Sequence, residues 1–345
     1  MEAIAVSNVK RSVLSCHERR RPSVQSRRYA MGIRSVLALD IGGTKLAAAA
    51  IDADGGVRGR EEISTKPEDG AQRVFARALD LAAHVREEQD AGENLKASGV
   101  STKGLTGEDG VLISGMPGWS NLRIPLRLRD RFPDLDISIM NDVKAATLAE
   151  MTWGALRGVL HGVYMNLGTG IAAGIVVGGE ILEGAHGAAG EVGYLLTGPE
   201  VLRRRQQGVV RGEDIPAPLE ELVGGRAVPE RARRELGSPL TMEQLTERGS
   251  HDDKAAALLE DILSEVAVWT ANIAVVVDPQ RVVIGGGFLR SPSDLCARVR
   301  KVFEQTLVFP PEVEPAHFHA DSALVGAGAL ALRSEAARGA AGGRT

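Results

Sequence analysis

The stretch Val36-Leu-Ala-Leu-Asp40-Ile-Gly-Gly-Thr-Lys45, continuing as Leu46-Ala-Ala-Ala-Ala-Ile51 and Asp52-Ala-Asp-Gly-Gly56, decides the fold. Its apolar start is a short buried strand. The strand delivers an acid and then two glycines, Gly42 and Gly43. In such a turn the backbone can approach a polyphosphate and aim N–H groups at it as a nest. Thr44 adds a hydroxyl donor and Lys45 a positive charge, while Asp40 is placed to hold a hydrated Mg²⁺. Leu46 to Ile51 followed by the Asp/Gly cluster predicts a second strand and a hairpin turn, not a helix. Walker-A and dinucleotide fingerprints put a helix after their glycines, so this turn belongs to another phosphate-binding architecture. Taken alone, the hexapeptide has a second reading as a hairpin whose glycines satisfy only the turn.

Working outward, the spacing of Val74, Ala78, Leu81, Ala82 and Val85 predicts a helix from about Gly70 to Glu88. A strand near Ala97 to Ser101 precedes a glycine-rich passage from Gly104 to Trp119. Ile137 to Met140 reads as a strand, followed by Asn141-Asp142 and a helix through Ala145 to Ala155. A second round then starts: strand Gly162 to Asn166, turn Gly168-Thr169-Gly170, strand Ile171 to Val177. A helix at Lys254 to Val277, a strand at Arg281 to Ile284, Gly285-Gly286-Gly287 and a closing helix near Ser322 to Arg333 complete it. Two related halves, each with a glycine turn, imply a nucleotide clamped in a cleft between them.

Composition bounds the function. The 345 residues allow two domains with sizeable cores, and 43% hydrophobic against 25% charged residues is ordinary for a soluble globular chain. Aromatics are only 3%, so small and aliphatic residues pack the core. A net charge of −4 gives no general attraction to nucleic acid or membrane, and no apolar run is long enough to span a bilayer. Cys16 and Cys296 are far apart, which excludes a disulfide framework and points to reduced thiols and a cytoplasmic home. The first thirty residues hold seven Lys and Arg against Glu2 and Glu18. That segment has no secretory core and no pair of patterned helices for reading DNA, so it reads as a disordered basic tail, or as sequence upstream of a start at Met31.

With these segments in place, the chain resembles a sugar kinase of the ROK family (repressors, open reading frames, kinases) in the actin, hexokinase and heat-shock ATPase superfamily. The resemblance spans about Val36 to Arg333. It rests on Asp40-Ile-Gly-Gly-Thr-Lys45, Met116-Pro-Gly-Trp119, Asn141-Asp142, Gly168-Thr-Gly170, Gly184-Ala-His-Gly-Ala-Ala-Gly-Glu-Val-Gly193 and Ile284-Gly-Gly-Gly287. The fold it implies is α/β, with two ribonuclease-H-like (actin-like ATPase) domains, a central cleft and a hinge. Its expected divisions are a tail at 1–32, an N-terminal domain at 33–150 and a C-terminal domain at 151–335, whose last helix packs back on the first. A flexible tail at 336–345 follows.

The same resemblance implies an ATP- and Mg²⁺-dependent kinase with a small polyol as acceptor, in which Asp142 is the general base. An aspartate that follows a buried strand and opens a helix sits where amides hold it ionised, although capping that helix is its other reading. Substrate contacts fall on Asn141, Glu191, Tyr194, Gly118 and, by a looser match at Pro218-Leu219-Glu220, on Glu220. For Glu220 a solvated helix face is the alternative. The phosphates fall on Asp40, Gly42, Gly43, Thr44, Lys45, Gly168, Thr169 and Gly170, and the adenosine side on Gly285, Gly286 and Gly287. Partners are the polyol, with neither nucleic acid nor membrane; a homo-oligomer such as a dimer is compatible with the resemblance.

Departures cluster on the acceptor side. The family histidine after Glu-x-Gly is Tyr194, and the stretch 195–225 contains no cysteine or histidine, so the family's structural zinc site is not expected here. Gly115 replaces a sugar-binding asparagine, Lys103 stands where Pro-Gly is common, and Ala172 replaces a glycine. A buried polar group that loses its partner costs about 1–3 kcal/mol, so an ordinary hexose should bind less well. The resemblance therefore points to a C7-cyclitol kinase of aminocyclitol antibiotic biosynthesis beside a glucokinase-like 6-kinase. A sugar sensor without its DNA-binding domain, or a sugar binder without catalysis, are the competing readings.

Overall fold

The computed structural model describes residues 35–89, 95–107, 110–114, 118–120, 122–206, 217–287 and 292–342. The basic tail, Cys16, Gly115, Met116 and Pro117 lie outside them.

The opening stretch folds as a hairpin. β1 (Ser35–Ile41) and β2 (Lys45–Asp52) pair antiparallel from Ser35↔Asp52 to Ile41↔Leu46, with β3 (Val57–Ser64) outside β2. After α1 (Ala71–Gln89) comes β4 (Ala97–Thr102), parallel to β1. A small hairpin of β5 (Leu105–Gly107) and β6 (Gly110–Ile113) and then α2 (Ile124–Arg131) lead to β7 (Asp136–Asn141), parallel to β4. The first sheet runs β3-β2-β1-β4-β7.

α3 (Asp142–Thr152) crosses to the second lobe, where β8 (Gly162–Leu167), β9 (Ile171–Val177) and β10 (Glu180–Ile181) repeat the meander. Four short helices follow: α4 (Pro199–Gln206), α5 (Pro218–Val223), α6 (Ala227–Leu236) and α7 (Met242–Gly249). Then come α8 (Asp253–Val277), β11 (Arg281–Gly285), α9 (Pro292–Thr306) and β12 (Glu312–Pro315). The second sheet runs β10-β9-β8-β11-β12, the order of the first, with β11 parallel to both β8 and β12. α10 (Ser322–Gly342) returns to pack on β1, β4 and β7.

Each lobe has a core on its outer face. Leu37, Leu39 and Leu46 meet Val74, Phe75 and Leu81 of α1, with Trp119 buried among them. Val163, Met165 and Ile171 meet Ile262 and Val266 of α8 and Phe303 of α9. Between the sheets, α10 and α3 lie side by side. Val36, Ala38 and Ala49 pack on Leu324, Val325 and Ala149, while Val143 and Ala146 of α3 pack on Tyr164, Val176 and Val283. Small residues set the spacing here: a Cβ on Gly326 of α10 would lie 1.8 Å from the Ala145 carbonyl oxygen of α3. The low aromatic content thus reflects helices and strands that touch backbone to backbone.

Three local expectations change. α3 stops at Thr152 rather than Ala155, because Trp153-Gly154 leaves the helical path and Gly154 passes so close under Glu150 that a Cβ would meet its carboxylate. α10 runs to Gly342, past 335, as the Ala-rich Ser334-Glu-Ala-Ala-Arg-Gly-Ala-Ala sequence favours helix. The helices α4 to α7 and α9 and the strand β12 have no counterpart in the sequence reading; they are short or polar, and their apolar stripes hold only two or three buried residues each in α5 to α7. Among the described residues no helix is long and apolar enough to cross a membrane.

Candidate active site

Parallel strands end where the site begins. In the register of the first sheet Asp40 on β1 lies beside Ser101 on β4, and Thr102 beside Asn141 on β7. Ser101 Oγ donates to Asp40 Oδ1. Burial, reinforced by the negative charge of Asp142, pushes the Asp40 carboxyl up to about 7 despite the serine.

The first glycine turn is held from below. Gly42 N donates to Lys45 O at 2.9 Å, Thr65 N donates to Thr44 O at 3.0 Å, and Thr65 Oγ1 donates to Gly42 O at 2.8 Å. Gly43 and Thr44 are left facing the cleft. Lys45 is placed elsewhere: its ammonium sits 2.8 Å from Glu62 on β3 and does not line the cavity.

The junction of β7 and α3 carries the carboxylate of most interest. Asn141, not Asp142, is the N-cap of α3: its Oδ1 accepts from Val143 N at 3.0 Å and Lys144 N at 3.2 Å, and its Nδ2 donates to Gly104 O at 3.0 Å. This frees Asp142 from being the cap. Asp142 Oδ1 takes a further bond from Val143 N at 2.9 Å. Burial raises the Asp142 carboxyl above the ordinary aspartate range, opposed by that amide and by the positive charge of Lys103.

The opposite wall belongs to the second lobe. Gly168 N donates to Gly170 O at 3.0 Å, closing the second glycine turn, and Gly225 N donates to Gly168 O at 2.9 Å. Glu220 on α5 is turned inward, not onto a solvated face: its Oε2 accepts from Ile171 N at 3.2 Å. Glu191 is raised by burial and by the charges of Asp142 and Glu220. Its loop is clamped by the buried Lys144 of α3, whose ammonium bonds Glu183 and, at 2.7 Å, Gly187 O. Gly286 and Gly287 lie against Leu167 and Gly168, at the back of the second turn.

Together these elements enclose a cavity of about 700 Å³ between the lobes. Gly43, Thr44, Asn141, Asp142, Thr169, Gly170, Glu191, Tyr194 and Glu220 line it, while Asp40, Gly42 and Gly168 sit behind that lining. Gly118, with a left-handed backbone near α1, and the triple glycine at 285–287 do not. Trp119 of the same motif is a core anchor, its Nε1 donating to Thr102 Oγ1 at 3.1 Å. Sequence reasoning missed Lys103, Asn166 and Arg226 as cavity residues. Lys103 was visible only as a departure from the family pattern, and Arg226 only as the residue after Gly224-Gly225. The one group of three His, Cys, Asp or Glu ligands within 4.8 Å among the described residues is Glu61, His84 and Glu88, on β3 and α1 and outside the cavity.

The ROK family profile matches residues 36–334. The chain belongs to the ROK family. Its relatives include an N-acetylmannosamine kinase of Escherichia coli O7:K1, 31% identical over 302 residues, covering 86% of this chain and 98% of that protein. Among solved ROK structures, the hexokinase of Thermus thermophilus superposes with a TM-score of 0.71 at 29% identity, covering 87% of this chain and 98% of that one. The Streptomyces griseus glucokinase in complex with glucose and AMPPNP superposes with a TM-score of 0.70 at 25% identity, covering 87% and 99%. The ROK sugar-kinase resemblance and the two-lobed actin-like ATPase fold expected from it are both met.

Proposed function

We propose that this ROK protein transfers the γ-phosphate of ATP to the primary hydroxyl of a hexose or hexose-like cyclitol, with Asp142 as general base. The observation that carries the reading is the position of Asp142: it opens α3 on the cavity wall, facing two glycine turns from separate lobes, and Asn141 does the capping in its stead. The acceptor O–H gives its proton to the Asp142 carboxylate as the oxygen–phosphorus bond forms and the bond to the ADP oxygen breaks. Lys103 favours the ionised form of the base. Gly43, Thr44, Thr169 and Gly170 cradle the phosphates, and Glu191 and Glu220 accept hydrogen bonds from acceptor hydroxyls.

The donor set at Asp40 fits Mg²⁺. It is a carboxylate that accepts from a serine hydroxyl, has no cation bonded to it among the described residues and is raised by burial, and hard oxygen donors are what that ion takes. Asp40 would hold the ion through water; when bound, Mg²⁺ neutralises triphosphate charge.

Tyr194 in place of the family histidine supports a cyclitol over a plain hexose, and so does the absence of cysteine and histidine from 195–225. The test is a coupled ADP-release assay with Mg·ATP against glucose, mannose, N-acetylglucosamine, N-acetylmannosamine, fructose, allose and the C7-cyclitols valiolone, valienone and their epimers. Turnover confined to a cyclitol supports the finer reading, and turnover on glucose or N-acetylmannosamine replaces it with a hexose kinase. Silence on every acceptor with nucleotide still bound favours a sensor. With an acceptor in hand, Asp142→Asn should lower kcat by about 10²–10⁴-fold while leaving AMPPNP affinity within a few-fold. Near-normal turnover would remove Asp142 from its role.

A further inference from the structure

The chain passes between the lobes twice, through 153–161 between α3 and β8 and through 316–321 between β12 and α10. Both crossovers meet at one side chain. Glu150, on the last turn of α3, is completely buried. Its Oε2 accepts from the Ala155 N–H at 2.7 Å on the first crossover. Its Oε1 accepts from the N–H groups of His317 at 2.8 Å and Phe318 at 3.3 Å on the second. No Lys, Arg or His side chain among the described residues pairs with it. Burying a carboxylate without a cation is costly unless several donors satisfy it, and here three backbone amides do.

Each crossover is also fastened to the second lobe independently. Leu160 and His161 donate to Gln280 Oε1 at 2.9 and 3.1 Å, Arg281 Nη1 donates to Ala155 O at 2.6 Å, and Ala316 N donates to Ile284 O at 2.9 Å. Any change in the angle between the lobes must bend these two segments. Glu150 joins both of them to α3, and Asp142 opens that same helix. We propose that Glu150 is the hinge pin of this molecule: a positioning residue that couples both crossovers to one another and, through α3, to the carboxylate at Asp142. The charge on the pin matters more than its volume. In Glu150→Gln the amide would present a donor to an amide N–H at one end, releasing one crossover while filling the same space.

Small-angle X-ray scattering of the full chain, with and without Mg²⁺ and AMPPNP, and amide hydrogen exchange of the ligand-free protein test this. The wild type should compact on binding AMPPNP. Glu150→Gln should show faster exchange at 155 or at 317–318, a smaller compaction, and roughly a tenfold fall in kcat with a changed acceptor KM, since hinge residues move the two together. A Glu150→Gln protein that loses only thermal stability, with crossover exchange, compaction and kcat as in the wild type, overturns the proposal. A wild type that binds AMPPNP without compacting does so too. Failure to bind AMPPNP at all counts against the kinase reading instead, and the exchange data then judge the pin alone. If the variant does not fold, wild-type exchange decides: the amides of Ala155, His317 and Phe318 should open as one unit, and independent opening refutes a shared pin.

Discussion

At the scale of single residues, the cleft is a problem in placing like charges. Asp40, Asp142 and Glu191 are all held above their ordinary carboxyl ranges, chiefly by burial. Lys103 opposes this shift at Asp142 and Glu191. A base works only when ionised, so a raised carboxyl moves the acid limb of the kcat/KM profile to higher pH than an ordinary aspartate would give. Lys103→Met should move that limb further up, so that activity falls more at pH 6 than at pH 8; a uniform loss across the pH range would mean that Lys103 binds substrate without tuning Asp142. Gly43, Thr44, Asp142, Gly170 and Glu191 could be picked out as cavity candidates because each sits in a short contiguous motif. Lys103 and Glu150 were not. Their roles depend on which strands and crossovers come to lie beside them, and no local pattern records that.

At the scale of elements, α3 does three things in eleven residues: it presents Asp142, clamps the Glu191 loop through Lys144, and fills the space between the sheets. Its weak amphipathicity follows from the last of these, since a helix packed on several sides has no solvent face to mark. The sequence reading found the helix from its start at Asn141-Asp142, yet its crowded surroundings were invisible. Gly326 shows how tight they are. A Cβ there would lie 1.8 Å from the Ala145 carbonyl, so Gly326→Val should push α10 off α3 and cost about 1–3 kcal/mol or more in urea unfolding. Because α3 carries Asp142, kcat should fall with stability; full activity in a destabilised variant would separate the seam from the site. Helices α5 to α7 escape a sequence reading for the opposite reason, being small amphipathic pieces with few buried positions.

At the scale of the whole molecule, two sheets of the same order face one another across α3 and α10, with the cavity at their glycine-turn ends, and the repeated strand–glycine turn–strand pattern makes the pairing legible in the sequence. The placement of α10 follows the family resemblance, and the structure gives it weight: Leu324, Val325, Ala327, Ala331 and Leu332 are buried against the first sheet and α3. A chain ending at residue 321 should therefore leave the inner face of β1 and β2 uncovered and yield an aggregating or protease-sensitive first lobe, measured by limited proteolysis beside the full chain. Survival of a folded first lobe would show that α10 is dispensable to it. The position of α10 also sets a schedule on the ribosome. All strands of the second sheet lie within the contiguous stretch 162–315, so that lobe has its parts in hand as soon as they emerge. The first lobe, begun before the second, must wait with an open greasy face until α10, which follows every strand of the second lobe, has emerged. Of the two lobes, the one begun first is closed last.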